Sequence, residues 1–240
     1  MKKILGLIRK ADFDFSLIEE GDKIAVGVSG GKDSMTLLYG LHLYQKFAPV
    51  KFDLVGITLK LGFPGMDFDP VVKFCASHGI EYHLVPTDVY SVLKSQSTKE
   101  GKVPCSLCSK FKKALLIKKA KALGCNKVSM GHHADDAIET LVMNAIHNGF
   151  LATFKPKMYL DETDVTFIRP LIYAKESEII KTANRHVPII PSTCPMDKNT
   201  GREDVKELLN RLAGDYPAAK QNLFNALCQP EKVVLFEKDL

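Results

Sequence analysis

The sequence predicts an α/β protein: a doubly wound parallel sheet of about five strands, followed by a helical C-terminal extension. Three observations predict it. Short β-rich apolar runs alternate with helical patterns through the first two thirds of the chain, which is how parallel βαβ units read. A glycine-rich turn, Ser29-Gly30-Gly31-Lys32-Asp33-Ser34, stands between the first such run and the first such helix. After Arg169-Pro170-Leu171 the strand-like runs stop and helical patterns continue alone. These features place an α/β domain over residues 1–172 and a helical region over 173–240 that packs on it and supplies Cys194.

The elements follow in order. Met1 to Lys10 reads as an amphipathic helix, too short and too charged for a secretory signal. Strands are expected at Lys23–Val28, Phe52–Leu59, Ile80–Pro86, Lys127–Met130 and Val165–Ile168. Between them, helices are expected at Ser34–Gln45, Pro70–His78, Val89–Lys94, Lys110–Leu123 and Ala137–His147. Beyond the last strand come helices at Lys175–Arg185, Glu203–Ala213 and Ala218–Cys228, with Pro188, Pro191 and Pro195 interrupting the series. Parallel strands joined by right-handed crossovers put the loops that follow them along one sheet edge. Residues 60–69 and 95–104 are the longest such loops, and loops of this kind usually carry function.

Composition sets the bounds. Hydrophobic residues make up 45% of the chain and charged residues 25%, an ordinary globular balance. No run approaches the roughly 20 apolar residues that cross a bilayer, so no membrane is expected and the cytoplasm is the expected compartment. The net charge of +5 permits a polyanionic partner without demanding one. Lys110, Lys112, Lys113, Lys118, Lys119 and Lys121 crowd one helix, which is either a phosphate-facing surface or a solvated face. Of the six cysteines, Cys75, Cys125 and Cys228 are assigned to packing.

The glycine-rich turn carries the chemistry. Two glycines let the backbone turn its amides inward, and the helix that opens there adds unpaired N–H groups and a positive dipole end. Together they make an anion site suited to phosphate. The Ser29 and Ser34 hydroxyls can donate to phosphate oxygens, Lys32 adds charge, and Asp33 suggests magnesium or an orienting hydrogen bond. A Walker A loop is excluded: three residues rather than four separate Gly27 from Gly31-Lys32, and Asp33 follows the lysine. A second loop, Gly131-His132-His133-Ala134-Asp135-Asp136, follows the fourth strand and is expected beside the first, at the topological switch point. Adjacent histidines seldom reach one metal, so a metal pair there is disfavoured. Cys105-Ser106-Leu107-Cys108, with Cys194 in a proline-flanked loop, offers three thiols for an iron–sulfur cluster or a zinc site.

The six-residue turn is the signature of the PP-loop ATP pyrophosphatases, and the chain resembles that family. Members cleave ATP between the α- and β-phosphates and transfer AMP to a carbonyl-type oxygen. The resemblance narrows with Ile18-Glu19-Glu20-Gly21-Asp22, Cys105 to Lys113, the Gly-His-His-Ala-Asp-Asp loop, Ile168-Arg169-Pro170-Leu171 and Pro188-Ile189-Ile190-Pro191, all in that order. This arrangement resembles the cluster-dependent tRNA thiolases, most closely the bacterial tRNA 2-thiocytidine synthetases, from about residue 1 to about residue 195. Where those enzymes carry a further cysteine, this chain runs Cys194-Pro195-Met196-Asp197.

The resemblance implies ATP, magnesium and a [4Fe–4S] cluster as cofactors, with zinc as the alternative at the cysteines. It implies tRNA as substrate, sulfide or a cysteine desulfurase persulfide as sulfur donor, and a homodimer. Nucleotide contacts are implied for Gly27, Val28, Ser29, Gly30, Gly31, Lys32, Asp33, Ser34, Ile57, Leu59, Gly131, His132 and Arg169. Asp33, Lys112 and Asp136 are the implied catalytic residues, and Cys105, Cys108 and Cys194 the implied cluster ligands. Arg169 has the competing reading of an exposed arginine at a strand end. The functional alternatives are an adenylating enzyme of the same fold without sulfur chemistry and a nucleotide or redox sensor without turnover.

Overall fold

The computed structural model of the chain describes residues 1–95, 105–194 and 201–235, and the side chains of Cys105 and Ser106 stand outside that description. Two compact units form: Met1–His133 with Lys155–Lys198, and Ala134–Phe154 with Asn199–Leu240. The boundary expected at residue 172 falls inside the first unit, and Cys194 belongs to that unit.

The first unit is built on strands β1 (Asp22–Gly27), β2 (Phe52–Lys60), β3 (Glu81–Pro86), β4 (Lys127–Ser129), β5 (Lys157–Leu160) and β6 (Val165–Ile168). They lie in the order β3-β2-β1-β4-β6-β5. The five expected strands pair in parallel, and the sixth, β5, pairs antiparallel with β6. Four residues are too few for a hydrophobic period to show. A tight turn makes the pair: Thr163 N–H donates to Leu160 O at 3.1 Å, and Asp164 takes a left-handed φ of 51°. The chain runs outward from β1 to β3 and then crosses back to β4. The order therefore reverses between β1 and β4, where ligands settle in doubly wound sheets.

Helices α1 (Lys2–Phe15), α2 (Lys32–Tyr44), α3 (Asp69–His78), α4 (Val89–Ser95) and α5 (Cys105–Ala122) connect and flank these strands. The fifth starts at Cys105 rather than Lys110, so the Cys-x-x-Cys pair occupies its first turn. Side chains alternate across each strand. One sheet face buries Ala25, Val55, Ile57, Val128 and Phe167 against Leu116, Ile117 and Ala120 of α5. On the other, Gly56 admits Leu38 of α2, whose Leu37 and Leu41 are fully buried. Gly40 of α2 leaves room for Ile8 of α1: a Cβ there would stand 2.7 Å from the Ile8 Cδ1.

At the start of β1 and β4 the buried Lys127 ammonium donates to Leu17 O at 2.9 Å and meets Glu19 at 2.6 Å and Asp22 at 2.7 Å. Asn126 Nδ2 donates to the other Asp22 oxygen at 2.7 Å. The phrase Ile18-Glu19-Glu20-Gly21-Asp22 thus has a structural role, since it supplies the counter-charge that a buried ammonium needs.

The second unit contains α6 (Ala134–Met143), a π-helical turn at Asn144–Asn148, α8 (Gly201–Asp215) and α9 (Ala219–Leu227). Helix α7 (Glu176–His186) belongs to the first. Ile138, Val205 and Leu209 form the small core of the second unit, with Val142, Met143, Leu223 and Phe224 around them. Cys75 and Cys125 are buried as expected, and burial pushes the Cys75 thiol up to about 11. Cys228 is exposed, which corrects its assignment to packing: α9 ends at Leu227 and its cysteine cap stays outside the core. Among the described residues no helix is long and apolar enough to cross a membrane.

Candidate active site

The loop after β1 is held from three sides. Val28 N–H donates to Ile57 O at 2.8 Å, and Thr58 Oγ1 donates to Val28 O at 2.7 Å. Gly30 takes a φ of 85°, the left-handed region that favours glycine. Its carbonyl accepts from Ile190 N–H at 2.8 Å, and a Cβ on it would stand 3.1 Å from the Ile190 side chain. Gly31 then caps α2 in an extended conformation, leaving the first amides of that helix without intrahelical partners. The two serines brace this turn. Ser34 Oγ accepts from Ser29 N–H at 3.1 Å and donates to Gly31 O at 3.0 Å, with Ser29 Oγ also 3.1 Å away. The Ser34 hydroxyl thus braces the loop from within, at the position where a phosphate donor is expected.

Lys32 reaches Asp33 Oδ2 at 3.0 Å and Glu176 Oε1 at 3.2 Å. Burial alone would lower its pKa, but the charges of Asp33 and Glu176 hold the ammonium above its ordinary value. The other Asp33 oxygen lies 3.7 Å from Nε2 of the buried His133.

The loop after β4 does lie beside the first. A Cβ on Gly131 would sit 3.2 Å from the Asp33 carbonyl carbon and from Ser34 N, so only glycine lets the two backbones approach this closely. The adjacent histidines go separate ways. His133 faces Asp33, whereas His132 Nδ1 accepts from Arg169 Nε at 3.3 Å.

Arg169 is buried, not exposed at a strand end, and also donates to Lys155 O at 2.5 Å. Burial pushes its pKa down to about 10, which leaves it cationic at neutral pH. Gly27 is fixed by packing: a Cβ there would meet Leu116 at 2.9 Å. Ile57 points into the core and reaches the loop only through its carbonyl, and Leu59 lines the same core.

The remaining candidates are distributed more widely. Asp136 lies in the second unit, in the first turn of α6, where Arg202 Nη1 donates to it at 3.1 Å. Arg202 Nη2 donates to Thr140 Oγ1 at 3.3 Å, and Lys220 lies 3.8 Å from Asp135. Lys112 is exposed on α5. Cys108 is buried beside Val89 and Leu93, and Cys194 is half-buried with its N–H donated to Ser192 Oγ. Thiols are the right donors for a cluster or zinc. The Cys105 side chain lies outside the described residues, among which no three His, Cys, Asp or Glu side chains gather as a metal site. Sequence reading missed Glu176, Ile190 and Arg202. The only prior signal was the Pro-Ile-Ile-Pro phrase, which placed Ile190 in a motif without giving it a task.

Comparison with known proteins agrees with this geometry. The PP-loop domain profile matches residues 3–188. A tRNA-cytidine(32) 2-sulfurtransferase of Geobacter metallireducens is 40% identical over 100% of this chain and 94% of its own length. Its counterpart in Geobacter sulfurreducens is 39% identical over the same shares. Among solved structures, the U34-tRNA thiolase NcsA of Methanococcus maripaludis, determined with its [4Fe–4S] cluster, superposes with a TM-score of 0.74 at 25% identity, covering 99% of this chain and 80% of that one.

Proposed function

The chain belongs to the PP-loop family, in the branch of the tRNA-cytidine(32) 2-sulfurtransferases, and from that premise we propose that it is an ATP-dependent tRNA 2-sulfurtransferase acting on a cytidine. One observation carries the reading. Residues 29–34 form a braced anion cradle at the switch point of the sheet, with free helix amides, Lys32 and the Gly131 backbone converging on it.

In this reading the α2 amides, Lys32 and a magnesium ion hold the triphosphate. The C2 oxygen of the pyrimidine bonds to the α-phosphorus, and the bond to pyrophosphate breaks. Cationic groups offset the charge that develops on the phosphoryl oxygens, usually the largest catalytic contribution. Sulfide then bonds to C2, and the C2–O bond breaks as AMP departs; a desulfurase persulfide serves as the source once a second thiol breaks its S–S bond, releasing sulfide and leaving as a disulfide. Adenylation is needed because an amide-like oxygen leaves poorly, whereas AMP leaves well.

Cys105, Cys108 and Cys194 would hold a [4Fe–4S] cluster whose remaining iron is open to a sulfur ligand. Asp33 orients Lys32, and Asp136 and Lys112 are assigned to the chemistry by resemblance. Arg169, implied as a nucleotide contact, is buried and donates to His132 Nδ1, which keeps that ring in place. A cytidine in a tRNA loop is reachable without opening a duplex, which suits single-stranded recognition.

The test is nucleoside mass spectrometry. Protein purified without oxygen is incubated with unmodified tRNA, magnesium-ATP and sulfide, and the RNA is digested. A 2-thiocytidine that vanishes with Cys105→Ala is the expected result. Pyrophosphate release without any thionucleoside would move the reading to an adenylating enzyme without sulfur chemistry.

A further inference from the structure

Lys32 is already occupied. Two carboxylates share its ammonium, and they differ in kind. Asp33 is its neighbour in the chain and cannot leave it. Glu176 comes from the first turn of α7, a separate element held in place by the buried Ile179 and Ala183. A triphosphate that takes the cradle needs the same ammonium, and it meets a fixed negative charge there. Repulsion between the two scales with the charge on the ligand, and a divalent cation that neutralises part of that charge relieves it.

We propose that Glu176 is the resting counter-ion of Lys32 and that the triphosphate binds by displacing it, so that this one carboxylate sets both the affinity of the loop for ATP and its dependence on a divalent cation. The inference rests on reading residues 29–34 as the triphosphate cradle. It adds a determinant from α7 that the loop motif does not contain. Nucleotide binding is then an exchange of carboxylate for phosphate at Lys32.

The experiment is equilibrium binding of α,β-methylene-ATP to the full chain purified without oxygen, in magnesium and in EDTA, with melting temperature recorded for every variant. Glu176→Gln is expected to tighten binding about fivefold in EDTA and less than about twofold in magnesium, the range of a partly exposed ion pair. Glu176→Ala removes the charge by a different route and is expected to act alike, so a folding defect in one variant leaves the other to decide. Glu178→Gln removes an equal charge two residues along α7, where the carboxylate pairs with the exposed Lys3, and is expected to match wild type. Unchanged or weaker binding by the Glu176 variants in EDTA overturns the proposal. Weaker binding in magnesium alone overturns it too, and makes Glu176 a metal ligand. A wild-type chain that binds the analogue under neither condition sinks the cradle itself, and the two failures are told apart by that arm.

Discussion

Each end of β1 lies beside a lysine held by two carboxylates, and the two clusters have opposite purposes. At the start of the strand, Lys127 keeps only 3% of its side chain exposed and Asp22 only 4%, with every ammonium proton given a partner at 2.6 to 2.9 Å. At its end, Lys32 is 29% exposed and its partners stand farther off, at 3.0 and 3.2 Å. The first arrangement is closed: nothing further can bind without leaving a charge buried and unpaired. The second is open, because a partly exposed ammonium with looser contacts can trade one partner for another. The same three residue types therefore make a structural knot in one place and, in the proposed reading, a binding site in the other, and burial distinguishes them.

The comparison breaks first at Lys127. Lys127→Met leaves Asp22 buried without its cation, and is expected to lower unfolding free energy by about 3–5 kcal/mol. Urea denaturation checks this, and the folded fraction should bind an ATP analogue as wild type does. A loss below about 1 kcal/mol would show that the knot is ornamental. Lys32→Ala should do the reverse. Thionucleoside formation is expected to fall about 100-fold, the effect of removing one charge-stabilising donor. Its unfolding free energy should stay within about 1 kcal/mol of wild type, as for a partly exposed ion pair. Equal damage to stability and turnover in both variants would erase the distinction.

How much of this was legible depends on whether the signal is local. The cradle was, because Ser29 to Ser34 stands between a strand and a helix and its backbone chemistry is set by neighbours in sequence. Strand β6 was read at its observed bounds, since Val165 to Ile168 is a short apolar run between turn residues. Strand β5 was not, because its identity comes from pairing with β6. Arg169 was open to reading as exposed because arginine usually is. Its burial follows from Lys155 O and His132, which arrive from elsewhere in the chain. Glu176 and Ile190 have the same character: each reaches the cradle from more than a hundred residues away, and only Ile190, inside the Pro-Ile-Ile-Pro phrase, carries any mark in the adjoining sequence. The knot at Lys127 was half visible, as the phrase around Glu19 and Asp22 was noted as a resemblance but not matched to its lysine.

The smallest expected effect separates the clusters by pH. Hydrogen bonding to Lys127, and then its charge, hold the Glu19 carboxyl below its ordinary 4.5. A depressed carboxylate contributes stability that is present above the unfolded value and is lost as pH falls through the folded one. The knot therefore weakens on the acid side, below about pH 4.5. Lys32 is shifted the other way: it stays above its ordinary 10.5, so on the alkaline side its pairing persists to that value and is lost as pH rises through the folded one. Melting curves should show Glu19→Gln departing from wild type near neutrality and converging with it in acid. Lys32→Met should depart near neutrality and, on the alkaline side, converge above about pH 10.5. The Glu19 side chain is 62% exposed, so solvent screens its part and the acid-side difference should be small. A Lys32→Met difference that vanishes on the alkaline side well below pH 10.5 would mean that Asp33 and Glu176 do not hold the Lys32 ammonium.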